Sequence, residues 1–160
     1  MTSRRFTGTV EFLVHVDVGE LRDWVAAIPF EEWPQQHPTD DQLKPAMVTD
    51  LEWHGFGSVA KPLIDGLIGH FPGAYPFQIM LSVVMPKHVI PAHKDDQPPH
   101  WLTRVHVPLI TNDDSEFLVE VISYHLAVGK AYRVNTMREH RVVNLGRVPR
   151  VHMMFDVGAT

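Results

Sequence analysis

Between Ile90 and Leu109 the chain reads IPAHKDDQPPHWLTRVHVPL, so an His-x-Asp pair (His93, Asp95) is followed by an Arg-x-His pair (Arg104, His106). The surrounding residues are strand formers, and a buried strand ordinarily carries apolar side chains because desolvated polar groups are costly without partners. Residues two apart in an extended chain point to the same side. An imidazole and a carboxylate so placed, joined by a second imidazole from a distant strand, form a two-histidine, one-carboxylate facial triad. That set holds non-haem Fe(II) and leaves coordination positions open. His140, at the head of the later run HRVVNL, is the best candidate for the third ligand. With 11 histidines in the chain, an His-x-Asp pair also arises by chance. The plainer alternative is a surface turn in which Asp95 and Asp96 are solvated and His93 closes a strand.

The residues that must position such a site are mostly strand-like. From Phe6 to Val18 the segment FTGTVEFLVHVDV alternates apolar and polar residues, which predicts a strand, and GELRDWVAAI predicts a short helix. PFEEWPQQHPTDDQLKP, from Pro29 to Pro45, has no period and is long enough for a functional loop, expected as a lid beside Arg104. GSVAKPLIDGLIGHF predicts an amphipathic helix with Val59, Leu63, Leu67 and Phe71 on its apolar stripe and Pro62 in its first turn. GFGSVA, which mimics a dinucleotide fingerprint, lacks the flanking strand–helix–strand unit and reads as a glycine-rich helix start. After Phe71 come FQIMLSVVM, HVIPAHK, WLTRVHVPLI, EFLVEVIS, KAYRVN, HRVVNL and RVHMMFDV, separated by turn signals, as in an antiparallel sandwich or barrel.

Counting by twos divides these strands into faces. Val105, Val107 and Leu109 oppose Arg104, His106 and Pro108; Val151, Met153, Phe155 and Val157 oppose Arg150, His152, Met154 and Asp156. The same count groups Gln78 with Met80 and Ser82. One face suits a core. The other mixes His, Arg, Asp, Ser and Met, which suits a barrel mouth holding an anionic or metal-bound ligand. Tyr132, Asn135 and Arg138 lie just before His140 and are further candidates to face substrate, whereas Trp33 and Trp53 are read as packing residues.

The bulk composition narrows the partners. A chain of 160 residues with 44% hydrophobic and 21% charged residues predicts one globular domain, 1–160. Within it, 1–71 supplies a strand, helices and the lid loop, and 72–160 the β-barrel core. A net charge of -5 with scattered basic residues leaves nucleic acid without an electrostatic footprint. No apolar run is long enough for a membrane span, and SRRF is followed by charged residues, so the expected compartment is the cytoplasm. With no cysteine, any metal is held by nitrogen and oxygen.

The stretch from Ser82 to Asp156 resembles the aspartyl/asparaginyl β-hydroxylase family of 2-oxoglutarate-dependent oxygenases. The resemblance rests on Ser82, HKD from His93, RVHVPL from Arg104, and HRVVNLGRVPR from His140 to Arg150. It implies a mostly β, double-stranded β-helix (jelly-roll, cupin-like) barrel with one or two N-terminal helices packed on one sheet. It also implies Fe(II) held by His93, Asp95 and His140, and 2-oxoglutarate contacted by Ser82, His106 and Arg150, with Arg104 counted on the cosubstrate side. Arg150 takes the place of the arginine that binds the far carboxylate. The implied activity consumes O2 and hydroxylates an amino acid, a peptidyl residue or another small carboxylate. Part of the family has glycine where this chain has Asp95, and some members carry a basic residue where it has Leu102. Those departures place the chain at least as near the small-molecule branch as the peptidyl one. Two rival readings are a cupin-type metal dioxygenase or isomerase without an oxo acid, and a non-catalytic β-barrel binding module.

Overall fold

A computed structural model describes residues 3–33 and 46–160. In chain order the elements are β1 (Val10–His15), α1 (Gly19–Ala26), β2 (Ala46–Val48), α2 (Phe56–Ile68), β3 (Ala74–Val84), β4 (His88–His93), β5 (Trp101–Ile110), β6 (Ser115–Val119), β7 (Ile122–Tyr124), β8 (Lys130–Val134), β9 (His140–Asn144) and β10 (Arg150–Ala159). The expected strand runs are present in order, except that EFLVEVIS breaks into β6 and β7 at a tight turn where Glu120 has φ 55°.

The strands form two antiparallel sheets, one ordered β1-β8-β5-β10-β3-β2 and the other β4-β9-β6-β7. The architecture is the expected cupin-like double-stranded β-helix, with an open barrel: among the described residues no ladder joins one sheet to the other. The large sheet is covered on both faces. On one face Val105, Val107, Leu109, Val151, Met153, Phe155 and Val157 pack with Leu21 and Val25 of α1 and Phe56, Ala60, Ile64 and Leu67 of α2. On the other, Val84, Tyr132 and Val134 meet Phe117, Val119 and Val142 of the small sheet. That double cover explains why β5 and β10 are buried along nearly their whole length although one face of each carries polar side chains. Their polar face looks into the space between the sheets.

Some expectations shift in detail. The buried stripe of α2 is Phe56, Ala60, Ile64 and Leu67, continued by Phe71, while Val59 and Leu63 are half-buried on its flank. The helix begins at Phe56, so Pro62 sits inside it and not in its first turn; an exposed proline there removes one helical donor. Gly55, with φ 73°, adopts the left-handed conformation that starts the helix, in keeping with the helix-start reading of GFGSVA. Gln78 does not share the face of Met80 and Ser82. It sits with φ 48° in a bulge opposite β10, and the extra residue resets the alternation, leaving Gln78 exposed. The loop expected over 29–45 is described only as far as Trp33, with one 3-10 turn over Phe30–Glu32; the remainder of the expected lid lies outside the described residues. Trp33 and Trp53 do pack, their rings 5.0 Å apart. Among the described residues no helix is long and apolar enough to cross a membrane.

Candidate metal and anion site

The ladder between β4 and β9 shifts register after Ile90 and resumes with His93 directly opposite His140. Their rings lie 4.3 Å apart, His140 buried and His93 at the open end. In each ring Nδ1 is 2.8 Å from a carbonyl two residues earlier, Pro91 O for His93 and Arg138 O for His140. A carbonyl only accepts, so each Nδ1 carries the proton and each Nε2 presents a lone pair. Burial holds the His140 imidazole below its ordinary pKa, against the raising effects of the Arg138 carbonyl and the Asp95 charge.

Asp95 follows the end of β4, and its N–H donates to Thr136 O at 2.9 Å, which fixes it beside the segment leading to His140. Asp95 Oδ1 lies 3.3 Å from His93 Nε2 and 4.0 Å from His140 Nε2. One ligand atom from each of the three residues falls within 4.8 Å of the others. With both rings neutral, three lone-pair donors converge, an arrangement that is repulsive until a cation enters. The nitrogen and oxygen donor set fits a divalent metal.

Asp95 Oδ2 accepts from Arg104 Nη1 at 2.9 Å. Arg104 turns its other two nitrogens to Asp156, with Nε 2.8 Å from Oδ1 and Nη2 2.9 Å from Oδ2. Asp156 is fully buried and also accepts from Trp101 Nε1 at 3.1 Å. Burial alone lowers the Arg104 pKa, but Asp156 and then Asp95 outweigh that and raise it. Arg104 thus borders the cavity with all three of its nitrogens engaged by carboxylates, whereas the sequence placed it on the cosubstrate side.

Arg150 is 3% exposed, yet no carboxylate among the described residues pairs with it. Its Nη2 donates to His152 Nδ1 at 2.9 Å. His106 Nδ1 lies 3.2 Å from the same atom. Because a guanidinium can only donate, His152 Nδ1 is unprotonated and its single in-plane lone pair is taken by Arg150. Among the described residues His106 Nε2 is buried with no hydrogen-bond partner. Burial first, and then the Arg150 charge, push both imidazoles well below the ordinary histidine range. Burial also pushes the Arg150 guanidinium down to about 9.

All seven residues singled out from the sequence (Ser82, His93, Asp95, Arg104, His106, His140, Arg150) line one cavity of about 440 Å³. Its remaining wall is largely apolar, with Ile90, Pro91, Phe117 and Val142 on the small-sheet side. Sequence reasoning missed the parts played by Asp156, His152 and Trp101. The first two were on the same alternating face as Arg150, so the signal was present, but burial and partner are not readable from alternation. Tyr132, Asn135 and Arg138 are not among the residues that line the cavity. The Tyr132 hydroxyl accepts from Ala127 N, Asn135 donates to Phe6 O, and Arg138 donates to Thr7 O, Gly8 O and Glu120, tying the N-terminal segment to the approach to His140.

The family model described as aspartyl/asparaginyl beta-hydroxylase matches residues 62–159. The chain belongs to that family. It is therefore a 2-oxoglutarate-dependent non-haem iron oxygenase, as the resemblance implied. Solved structures share its fold at low identity. HygX from Streptomyces hygroscopicus, with nickel and 2-oxoglutarate bound, is 12% identical at TM-score 0.69, covering 96% of this chain and 84% of that one. A Pseudomonas putida prolyl-4-hydroxylase is 13% identical at TM-score 0.66, covering 96% and 94%. A viral collagen prolyl hydroxylase from Paramecium Bursaria Chlorella virus-1, in a 2OG complex, is 8% identical at TM-score 0.64, covering 96% and 98%. No curated protein matches the chain.

Proposed function

We propose that this oxygenase hydroxylates an unactivated carbon of a small molecule or amino-acid residue, with His93, Asp95 and His140 as metal ligands and Arg150 as the anchor for the distal carboxylate of 2-oxoglutarate. One observation carries the assignment. Arg150 is a buried guanidinium whose hydrogen-bond partner is a neutral imidazole, and it opens on the same cavity as three convergent metal donors. A buried cation without an anion is costly, and a dicarboxylate spanning from the triad supplies the missing charge. A cupin that uses no oxo acid has no task for such a residue.

Bound Fe(II) would supply the redox chemistry by which O2 puts one oxygen into a substrate C–H bond and the other into succinate, with loss of CO2. The chain's own contribution is placement. His93 and His140 present Nε2 because Pro91 O and Arg138 O hold their Nδ1 protons. Arg150 and the Ser82 hydroxyl are donors, as a carboxylate requires. His106 lines the same cavity, and its buried Nε2, without a partner among the described residues, is the third candidate contact for that carboxylate. Ile90, Pro91, Phe117 and Val142 form an apolar wall that receives the aliphatic part of the substrate and excludes water. Packing of α1 and α2 on the large sheet supports reading residues 1–160 as one domain.

The test is an anaerobic titration of 2-oxoglutarate into the Fe(II) protein, followed by metal-to-ligand absorbance, and then succinate release in air with a panel of amino acids, their N-acyl derivatives and small carboxylates. A saturable band and substrate-stimulated succinate are expected. Absence of both overturns the proposal.

A further inference from the structure

We infer that Arg104 is a positioning residue: anchored on Asp156, it holds Asp95 Oδ2 and so turns Oδ1 toward His93 and His140. The inference rests on the proposed metal site and adds to it the groups that fix its carboxylate.

Arg104 and Asp156 are directly opposite one another on β5 and β10, in the middle of the large sheet, so the backbone register alone brings them together. Their contact is a two-point fork, 2.8 and 2.9 Å, which fixes the plane of the guanidinium as well as its distance. Trp101 Nε1, donating to Asp156 Oδ1, fixes the carboxylate in turn. With two nitrogens so engaged, the third, Nη1, has one direction left, and Asp95 Oδ2 lies along it at 2.9 Å. Asp95 follows the end of β4, and its N–H to Thr136 O, in the turn between β8 and β9, fixes its backbone but not its carboxylate. Without Arg104 its carboxylate is free to turn about its terminal torsion and offer either oxygen, or neither, to the histidines. With Arg104 one oxygen is taken, and the other sits 3.3 Å from His93 Nε2. A carboxylate at position 95 gives the arginine a second acidic partner, which a glycine would not.

The experiment measures Mn(II) affinity by electron paramagnetic resonance in the absence of 2-oxoglutarate. The Arg104→Met/Asp156→Asn double variant removes both buried charges together, so neither is stranded. Its Mn(II) affinity is expected to fall about 10–100-fold. The same pair of changes in an Asp95→Ala background is expected to weaken Mn(II) no further, because Arg104 acts through Asp95. Arg104→Lys, which keeps a charge but cannot fork across two carboxylates, is expected to give an intermediate loss and serves if the double variant does not fold. Mn(II) binding equal to wild type in the variants, or the same loss with and without Asp95, overturns the inference while leaving the metal site standing. A wild type that takes no Mn(II), or one indifferent to His140→Ala, overturns the metal reading and this inference with it.

Discussion

Arg150→Met separates an anion anchor from a structural arginine, because the two predict opposite signs for stability. Burial pushes the Arg150 guanidinium from its ordinary value to about 9. At 1.36 kcal/mol per pKa unit, that is a penalty on the order of 5 kcal/mol on the charged form of a side chain only 3% exposed. Methionine keeps the apolar stem and removes the charge. It also strips His152 Nδ1 of its Arg150 donor, which costs about 1–3 kcal/mol. The metal-free variant is therefore expected to gain about 2–4 kcal/mol, a rise of roughly 4–16 °C in Tm. Binding moves the other way. A buried carboxylate deprived of its partner loses about 2–5 kcal/mol, a thirty-fold to several-thousand-fold weakening of 2-oxoglutarate. The assay is thermal unfolding of metal-free and Mn(II)-loaded protein over a 2-oxoglutarate series. Wild type is expected to gain about 2.7 kcal/mol at a ligand concentration a hundred times its Kd, and the variant at most about 0.9 kcal/mol at that concentration. A variant that melts lower than wild type and still responds to 2-oxoglutarate as wild type does refutes the reasoning.

Three further outcomes follow from the same geometry. His93→Ala and His140→Ala should each abolish stoichiometric Mn(II) binding in dialysis against the metal, while Ser82→Ala should leave it intact and weaken only 2-oxoglutarate. His152 is held neutral by burial and by Arg150, with His106 and His125 also facing it, so its folded pKa lies below the unfolded value. The stability it carries is present above about pH 6.5 and lost as pH falls; from about pH 7.5 to about pH 5.5 the loss is about 1.4 kcal/mol. Urea midpoints of metal-free His152→Gln at the two pH values should show that much less acid sensitivity than wild type. Phe155→Ala, at a fully buried position between the large sheet and the helices, should cost about 3–5 kcal/mol in urea unfolding and leave Mn(II) affinity unchanged once folded.

What could be read from the sequence divides along physical lines. Strands were legible because alternation is local: β5 and β10 announce their two faces in RVHVPL and RVHMMFDV. The bulge at Gln78 was not, because a positive-φ residue inside a strand leaves no mark on the pattern of apolar residues around it. Pro62 was misplaced for a related reason; a proline favours the first turn on average, and the packing of Phe56 and Ala60 starts the helix earlier. The residues lining the cavity were legible from their types and from the family resemblance. Their pairing was not. Arg104 and Arg150 look alike in sequence, each on a polar strand face, and only the registers of β10 put Asp156 opposite Arg104 on β5 and Val84 of β3 opposite Arg150.

That difference between the two arginines has a consequence for binding order. Arg104 is matched by Asp95 and Asp156, and with Arg150 added and the imidazoles neutral, the charged groups around the cavity among the described residues balance. A divalent ion alone leaves an excess of two positive charges in a partly desolvated space, and dianionic 2-oxoglutarate alone leaves an excess of two negative ones. Together they restore the balance. A single pair of opposite charges about 4 Å apart is worth about 4 kcal/mol at an effective dielectric constant of 20, so metal and cosubstrate should tighten one another's binding by equal factors, on the order of 5–150-fold. Calorimetric titrations of Mn(II) with and without saturating 2-oxoglutarate, and of 2-oxoglutarate with and without Mn(II), measure both sides of that cycle. Arg150→Met makes the sharper case: it removes one positive charge from the cavity, so Mn(II) alone should bind the variant more tightly than wild type, while the mutual tightening shrinks. Mn(II) binding that weakens in Arg150→Met, or 2-oxoglutarate binding indifferent to the metal, would show that charge balance does not govern how the site fills.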